Sequence, residues 1–186
     1  MLRKALLLSC FLCTALISFA QKEKKQKTAA EQKQVELFTI ADGKKIFYNE
    51  IGAPLPPLKI WRRDSVFLTN ETLDNNASLI IMLFNPTCEH CELMAKTFKE
   101  NIDLFQKSNL VLVAANGMES YLDFFINNTA TELVRKIQIG IDSSGLINQT
   151  FLYKTLPQVN VYNKERKLEK IFFGEVAIEE LKPYIE

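Results

Sequence analysis

Phe84–Met94 reads FNPTCEHCELM. Cys88 and Cys91 stand two residues apart, with Glu89 and His90, the only histidine of the chain, between them. Upstream, Ser78–Phe84 (SLIIMLF) is an apolar run without polar alternation, the pattern of a strand buried on both faces of a helix-covered sheet. Asn85-Pro86 breaks the run and Thr87 is a candidate helix cap. Downstream, Met94, Phe98, Ile102 and Phe105 recur at helical spacing through Cys91–Ser108. The cysteine pair therefore falls where a strand ends and a helix begins. There Cys88 meets unpaired backbone N–H groups and the positive end of the helix dipole. That setting favours the thiolate, the form of sulfur that attacks a disulfide. A protonated His90 adds to it, each pKa unit of thiolate stabilisation corresponding to about 1.4 kcal/mol. Glu89 and Glu92 oppose it.

Three chemistries use a close cysteine pair. A structural zinc site wants four ligands, and one CxxC supplies two. A staple across four residues contributes about 2 kcal/mol, against about 3 for a fifteen-residue loop, so it would do more between distant strands. A reversible dithiol fits an isolated pair in a compartment where disulfides persist. The start of the chain bears on that compartment. Arg3 and Lys4 precede an apolar run from Ala5 to Ile17, and Ser18-Phe19-Ala20 offers small residues for cleavage before Gln21. This is the pattern of a secretory signal peptide, and 13 apolar residues are fewer than the ~20 that span a bilayer. A lipobox-like Leu7-Leu8-Ser9-Cys10 is the competing reading, under which lipid at Cys10 would anchor the protein to a membrane. Cleavage after Ala20 removes Cys10 and Cys13 and leaves Cys88 and Cys91 as the only thiols. It also lowers the 23 basic side chains to 21, against 22 acidic ones. A near-neutral chain carries no strong field for nucleic acid or an anionic membrane.

Residues 21–34 (QKEKKQKTAAEQKQ) are polar and lysine-rich, the composition of a flexible tether. From Val35 the chain turns globular, and residues 35–186 are read as one α/β domain large enough for a real core. VELFTI and KKIFYNE flank Asp42-Gly43, the signature of a hairpin. Pro54, Pro56 and Pro57 interrupt the chain before LKIW and SVFL. Leu110–Ala115 reads as a second buried strand, 119–128 as a helix, the stretch from Arg135 as a strand and 144–151 as a short helix. A hairpin across Lys164-Glu165-Arg166 and a helix marked by Ala177, Leu181, Tyr184 and Ile185 close the domain. Trp61 and the pairs Phe124-Phe125 and Phe172-Phe173 read as core. Asp142-Ser143-Ser144-Gly145 reads as a turn and helix cap.

The strand–CxxC–helix unit resembles the thioredoxin superfamily, specifically the secreted or envelope-facing TlpA-like and ResA-like thiol–disulfide oxidoreductases. The likeness covers about residues 50–186. It rests on FNPTCEHC after a buried strand, on TLPQVNVYN with Pro157 heading a strand, and on FFGEVAIEELKPYI at the close. An extra strand–helix segment between Leu110 and Asn148 is also usual in that branch. The resemblance implies a thioredoxin-like fold: a central mixed β-sheet flanked by helices, here with an N-terminal β-hairpin extension. It implies that Pro157 is cis and packs against the CxxC. Cys88 would attack a substrate disulfide, Cys91 would resolve the mixed disulfide into Cys88–Cys91, and His90 with Glu89 would tune Cys88. Pro157 and Leu156, with Pro86 and Thr87, would position the substrate. Partners would be protein thiols and disulfides of the cell envelope and a redox partner protein, in a secreted or periplasmic location. No organic cofactor or metal is required, since electrons pass between sulfurs. Three positions depart from the pattern. Thr87 replaces the usual tryptophan before the first cysteine, and Met82 and Met94 occupy the places of the two acids that help deprotonate the resolving thiol. Peroxiredoxin spacing is absent, because Pro86-Thr87-Cys88 are contiguous. The alternative on the same fold is a binding module whose disulfide is structural.

Overall fold

A computed structural model describes residues 38–39, 45–73, 76–151 and 155–185. Residues 1–34, where the signal peptide and tether are expected and which include Cys10 and Cys13, and Asp42-Gly43, where the hairpin turn is expected, lie outside the described residues. One compact unit spans Leu37–Glu186. Among the described residues no helix is long and apolar enough to cross a membrane.

Seven strands form one sheet. At its centre β5 (Ser78–Phe84) runs parallel to β6 (Ser108–Ala114), which is parallel to β7 (Ile137–Asp142). Beyond β7 lie β3 (Lys59–Trp61) and β4 (Phe67–Thr69), both antiparallel additions. On the other side of β5, β8 (Gln158–Tyr162) and β9 (Leu168–Phe173) form an antiparallel hairpin. A separate short pair, β1 (Phe38–Thr39) with β2 (Lys45–Ile46), sets Phe38 opposite Ile46.

The unbroken apolar run of β5 is explained by its two covered faces. Ile80, Met82 and Phe84 point into one core with Cys91, Met94 and Phe98 of α1 (Glu89–Glu100), Phe125 of α2 (Glu119–Thr129) and Leu181 of α4 (Ile178–Ile185). Leu79, Ile81 and Leu83 point into the opposite core, with Ile147 and Phe151 of α3 (Leu146–Phe151) and with Tyr48, Leu55 and Leu58. Side-chain alternation along one strand thus feeds two layers. Gly140 of β7 is required by a close approach: a Cβ there would lie 2.5 Å from the Trp61 carbonyl oxygen and 2.6 Å from Ile60 Cγ2.

Several boundaries differ from the sequence reading. The helix after the cysteines stops at Glu100. The Asn101 backbone N–H and side-chain amide both donate to the Thr97 carbonyl, and a 3₁₀ turn (Ile102–Phe105) follows. Apolar spacings of three and four residues fit both helix types, so Ile102 and Phe105 did not mark that break. Residues Ser108 and Asn109 already belong to β6. Only half of each phenylalanine pair is core. Phe125 is buried while Phe124 is exposed, and Phe172 packs against the core while Phe173 is exposed. Neighbours on a helix or strand point in different directions, which composition alone overlooks. Trp61 is half-buried against the core. Asp142 caps α3, its carboxylate accepting from the Ser144 N–H and hydroxyl and from the Ile147 N–H.

Candidate active site

The turn after β5 is tied by Asn85. Its side-chain oxygen accepts from the Thr87 N–H and hydroxyl, each at 3.0 Å, and its carbonyl accepts from the Cys88 N–H at 3.0 Å. Pro86 is buried and Thr87 exposed. Thr87 is therefore held by Asn85, and the helix cap is Cys88 itself: its backbone is extended and its Sγ accepts from the Cys91 N–H at 3.4 Å. A sulfur in that place receives one of the orphan N–H groups of the first turn.

Both cysteines are thiols in this structure. Cys88 is half-buried and Cys91 completely buried. Burial pushes the Cys91 thiol well above the ordinary cysteine range, and the hydrogen bond with Cys88 pushes it the same way. Met82 and Met94 lie in the same core as Cys91 and are buried. The partly buried carboxylate of Glu92 stands within electrostatic reach and raises the Cys91 thiol further. Glu92 accepts from the Asn128 amide at 3.3 Å and lies 3.9 Å from Lys96 Nζ, which joins α1 to the flank of α2.

The Leu156–Pro157 peptide bond is cis, Pro157 is buried and Leu156 half-buried. In the antiparallel register of β5 with β8, Leu83 faces Gln158. Gln158 directly follows Pro157 and Leu83 directly precedes Phe84, so the proline loop and the cysteine turn leave the sheet at the same edge. The Gly174 N–H donates to the Pro157 carbonyl at 2.8 Å, which brings the β9–α4 loop to that edge as well. Glu175 of this loop meets His90: Nδ1 and Oε1 are 2.5 Å apart. His90 is thus turned outward, 69% exposed, toward the β9–α4 loop. Glu89 is exposed on the outer side of the same turn.

The structure so gathers Cys88, Cys91, Pro86, Thr87, Leu156, Pro157, Glu89 and His90 at one edge. Glu175 was not singled out from the sequence. Counting residues forward past β9 against Pro157 was the one available signal, since Gln158 pairs with Phe173. Among the described residues no group of three or more His, Cys, Asp and Glu side chains is arranged to hold a metal.

This architecture is the thioredoxin-like fold. StoA from Bacillus subtilis superposes with a TM-score of 0.57 at 19% identity, over 73% of this chain and 99% of that one. The thioredoxin domain of a thiol-disulfide oxidoreductase from Bacteroides vulgatus gives 0.60 at 10% identity, over 72% and 94%. A secreted disulfide oxidoreductase of Mycobacterium tuberculosis, homologous to Escherichia coli DsbE, gives 0.56 at 11%, over 70% and 93%. No family model matches the sequence, and no curated protein matches it either.

Proposed function

We propose that this protein is an extracytoplasmic thiol–disulfide oxidoreductase acting on protein substrates through Cys88 and Cys91. The observation that carries the reading is the pairing of two unlike sulfurs. Cys88 is accessible and hydrogen-bonded at a helix start, while Cys91 is sealed one turn behind it. The fold neighbours described as disulfide oxidoreductases support it, and the leader-like residues 1–20 support export.

In the forward direction the Cys88 thiolate attacks one sulfur of a substrate disulfide, forming a mixed disulfide and releasing one substrate thiolate. Cys91 then gives its proton to solvent, and its thiolate attacks the Cys88 sulfur. The Cys88–Cys91 disulfide forms and the second substrate thiolate leaves. The substrate gains two electrons and the protein loses two; the reverse sequence oxidises a substrate dithiol. A redox partner protein returns the pair to its starting state. Leu156 and Thr87 provide the accessible surface for the substrate chain at the edge where Cys88 emerges, and the buried Pro157 and Pro86 set the backbone beside them.

The Cys91 thiol makes the second step pH-dependent. The thiol is pushed up and its core neighbours are Met82 and Met94, so its thiolate is scarce at neutral pH. The resolving rate should climb about tenfold per pH unit between pH 6 and 8, in proportion to the thiolate fraction. Stopped-flow mixing with a model protein disulfide such as insulin measures both steps. Capture followed by a pH-steep resolution is the expected result; no exchange at any pH would overturn the reading. Methionine at positions 82 and 94, where the resembling family carries its two acids, is also the observation that favours the second reading, a thioredoxin-fold binding module with a structural disulfide. A reduction potential separates the two.

A further inference from the structure

His90 stands between the two cysteines, and in the fold it meets a carboxylate from 85 residues away in the sequence. We infer that Glu175 is a positioning residue that draws the His90 imidazole away from Cys88 and cancels its charge, holding the dithiol pair toward the reducing end. The inference rests on the proposed disulfide exchange and deepens it by assigning a direction.

Three contacts place Glu175. Phe173 pairs with Gln158, the Gly174 N–H donates to the Pro157 carbonyl, and Glu175 Oε1 then lies 2.5 Å from His90 Nδ1. The loop is thereby anchored to the proline segment before it reaches the helix. With side chains 69% and 47% exposed, the pair contributes little to folding stability. Its consequence lies in the charge next to Cys88.

The sign follows from what each redox state carries. Whatever negative charge forms on sulfur belongs to the reduced form and not to the disulfide, so positive charge nearby favours reduction and makes the pair a stronger oxidant. An imidazolium one residue before Cys91 would do this. The carboxylate at its Nδ1 turns a positive neighbour into a neutral pair and fixes the ring toward the β9–α4 loop. Glu89 and Glu92, on the same helical turn, already oppose positive charge there, so Glu175 leaves none uncompensated.

The test is a double-mutant cycle in the mature protein: wild type, Glu175→Gln, His90→Ala and the double variant, equilibrated with glutathione buffers at pH 6.0, where an imidazole is largely charged. The fraction of reduced Cys88–Cys91 is read by mass after alkylation. Glu175→Gln is expected to favour the reduced pair about tenfold, a rise of about 30 mV for a two-electron couple. That shift should vanish in the His90→Ala background, and Glu175→Asp should restore a value near wild type. Wild-type exchange with no shift in Glu175→Gln would overturn the inference and leave the oxidoreductase reading standing. A full shift that persists without His90 would overturn it too, showing that the carboxylate acts on the sulfur directly. A wild-type pair that never equilibrates with glutathione would remove both.

Discussion

Cys88→Ser is expected to abolish disulfide exchange, lowering the rate by roughly a thousandfold or more, the scale on which removal of a nucleophile acts. Cys91→Ser is expected to give a different failure. With Cys88 intact, capture proceeds. The buried position behind it then holds a hydroxyl that cannot displace the substrate, and mixed disulfides accumulate as species that survive denaturing gels and dissolve on adding dithiothreitol. The asymmetry follows from geometry: Cys88 is reachable and Cys91 is 0% exposed. Gel electrophoresis after mixing each variant with a protein disulfide reads both outcomes at once. Equal losses without trapped adducts in Cys91→Ser would contradict the assigned order of attack.

The second large effect concerns the floor of the site. Phe84 ends β5 immediately before the turn that carries Cys88. It is 1% exposed and its ring lies 4.2 Å from that of Phe125, tilted by 33°. Phe84→Ala removes this contact and leaves a cavity in the core that contains Cys91 and Met94. The expected loss is about 3–5 kcal/mol. That is a large part of the ~5–15 kcal/mol that holds a domain together, and in a chain of this length it lowers the melting temperature by roughly 10 °C. Chemical denaturation and calorimetry measure it. The opened core should also let an alkylating reagent reach Cys91 faster than the measured loss of global stability accounts for. A loss under about 1 kcal/mol would mean that the core closes around the gap.

Much of this arrangement was legible in residues that carry strong local rules. The unbroken run Ser78–Phe84 reads as a strand covered on both faces, and the two cores on either side of it bear that out. The hairpin after Pro157 followed from the apolar runs around Lys164-Glu165-Arg166. What escaped reading depends on choices that one-dimensional pattern does not distinguish. Thr87 has the chemistry of a cap, yet Asn85 binds it from behind and the sulfur of Cys88 takes the cap position. Phe98, Ile102 and Phe105 carry a spacing that an α-helix and a 3₁₀ turn share. Phe124 and Phe173 are as apolar as their buried neighbours, and only backbone direction tells which member of each pair faces out. His90 showed its position between the cysteines but not its partner. Glu175 reaches it through the register of a distant hairpin and the Gly174–Pro157 hydrogen bond.

The reduction potential of the Cys88–Cys91 couple in the wild-type protein, titrated against glutathione or dithiothreitol buffers, tests the central claim most directly. A pair that exchanges disulfides with other proteins is expected between roughly −120 and −300 mV. A value well below about −300 mV would mark a bond that stays closed once formed, and would contradict catalytic exchange in favour of a structural disulfide.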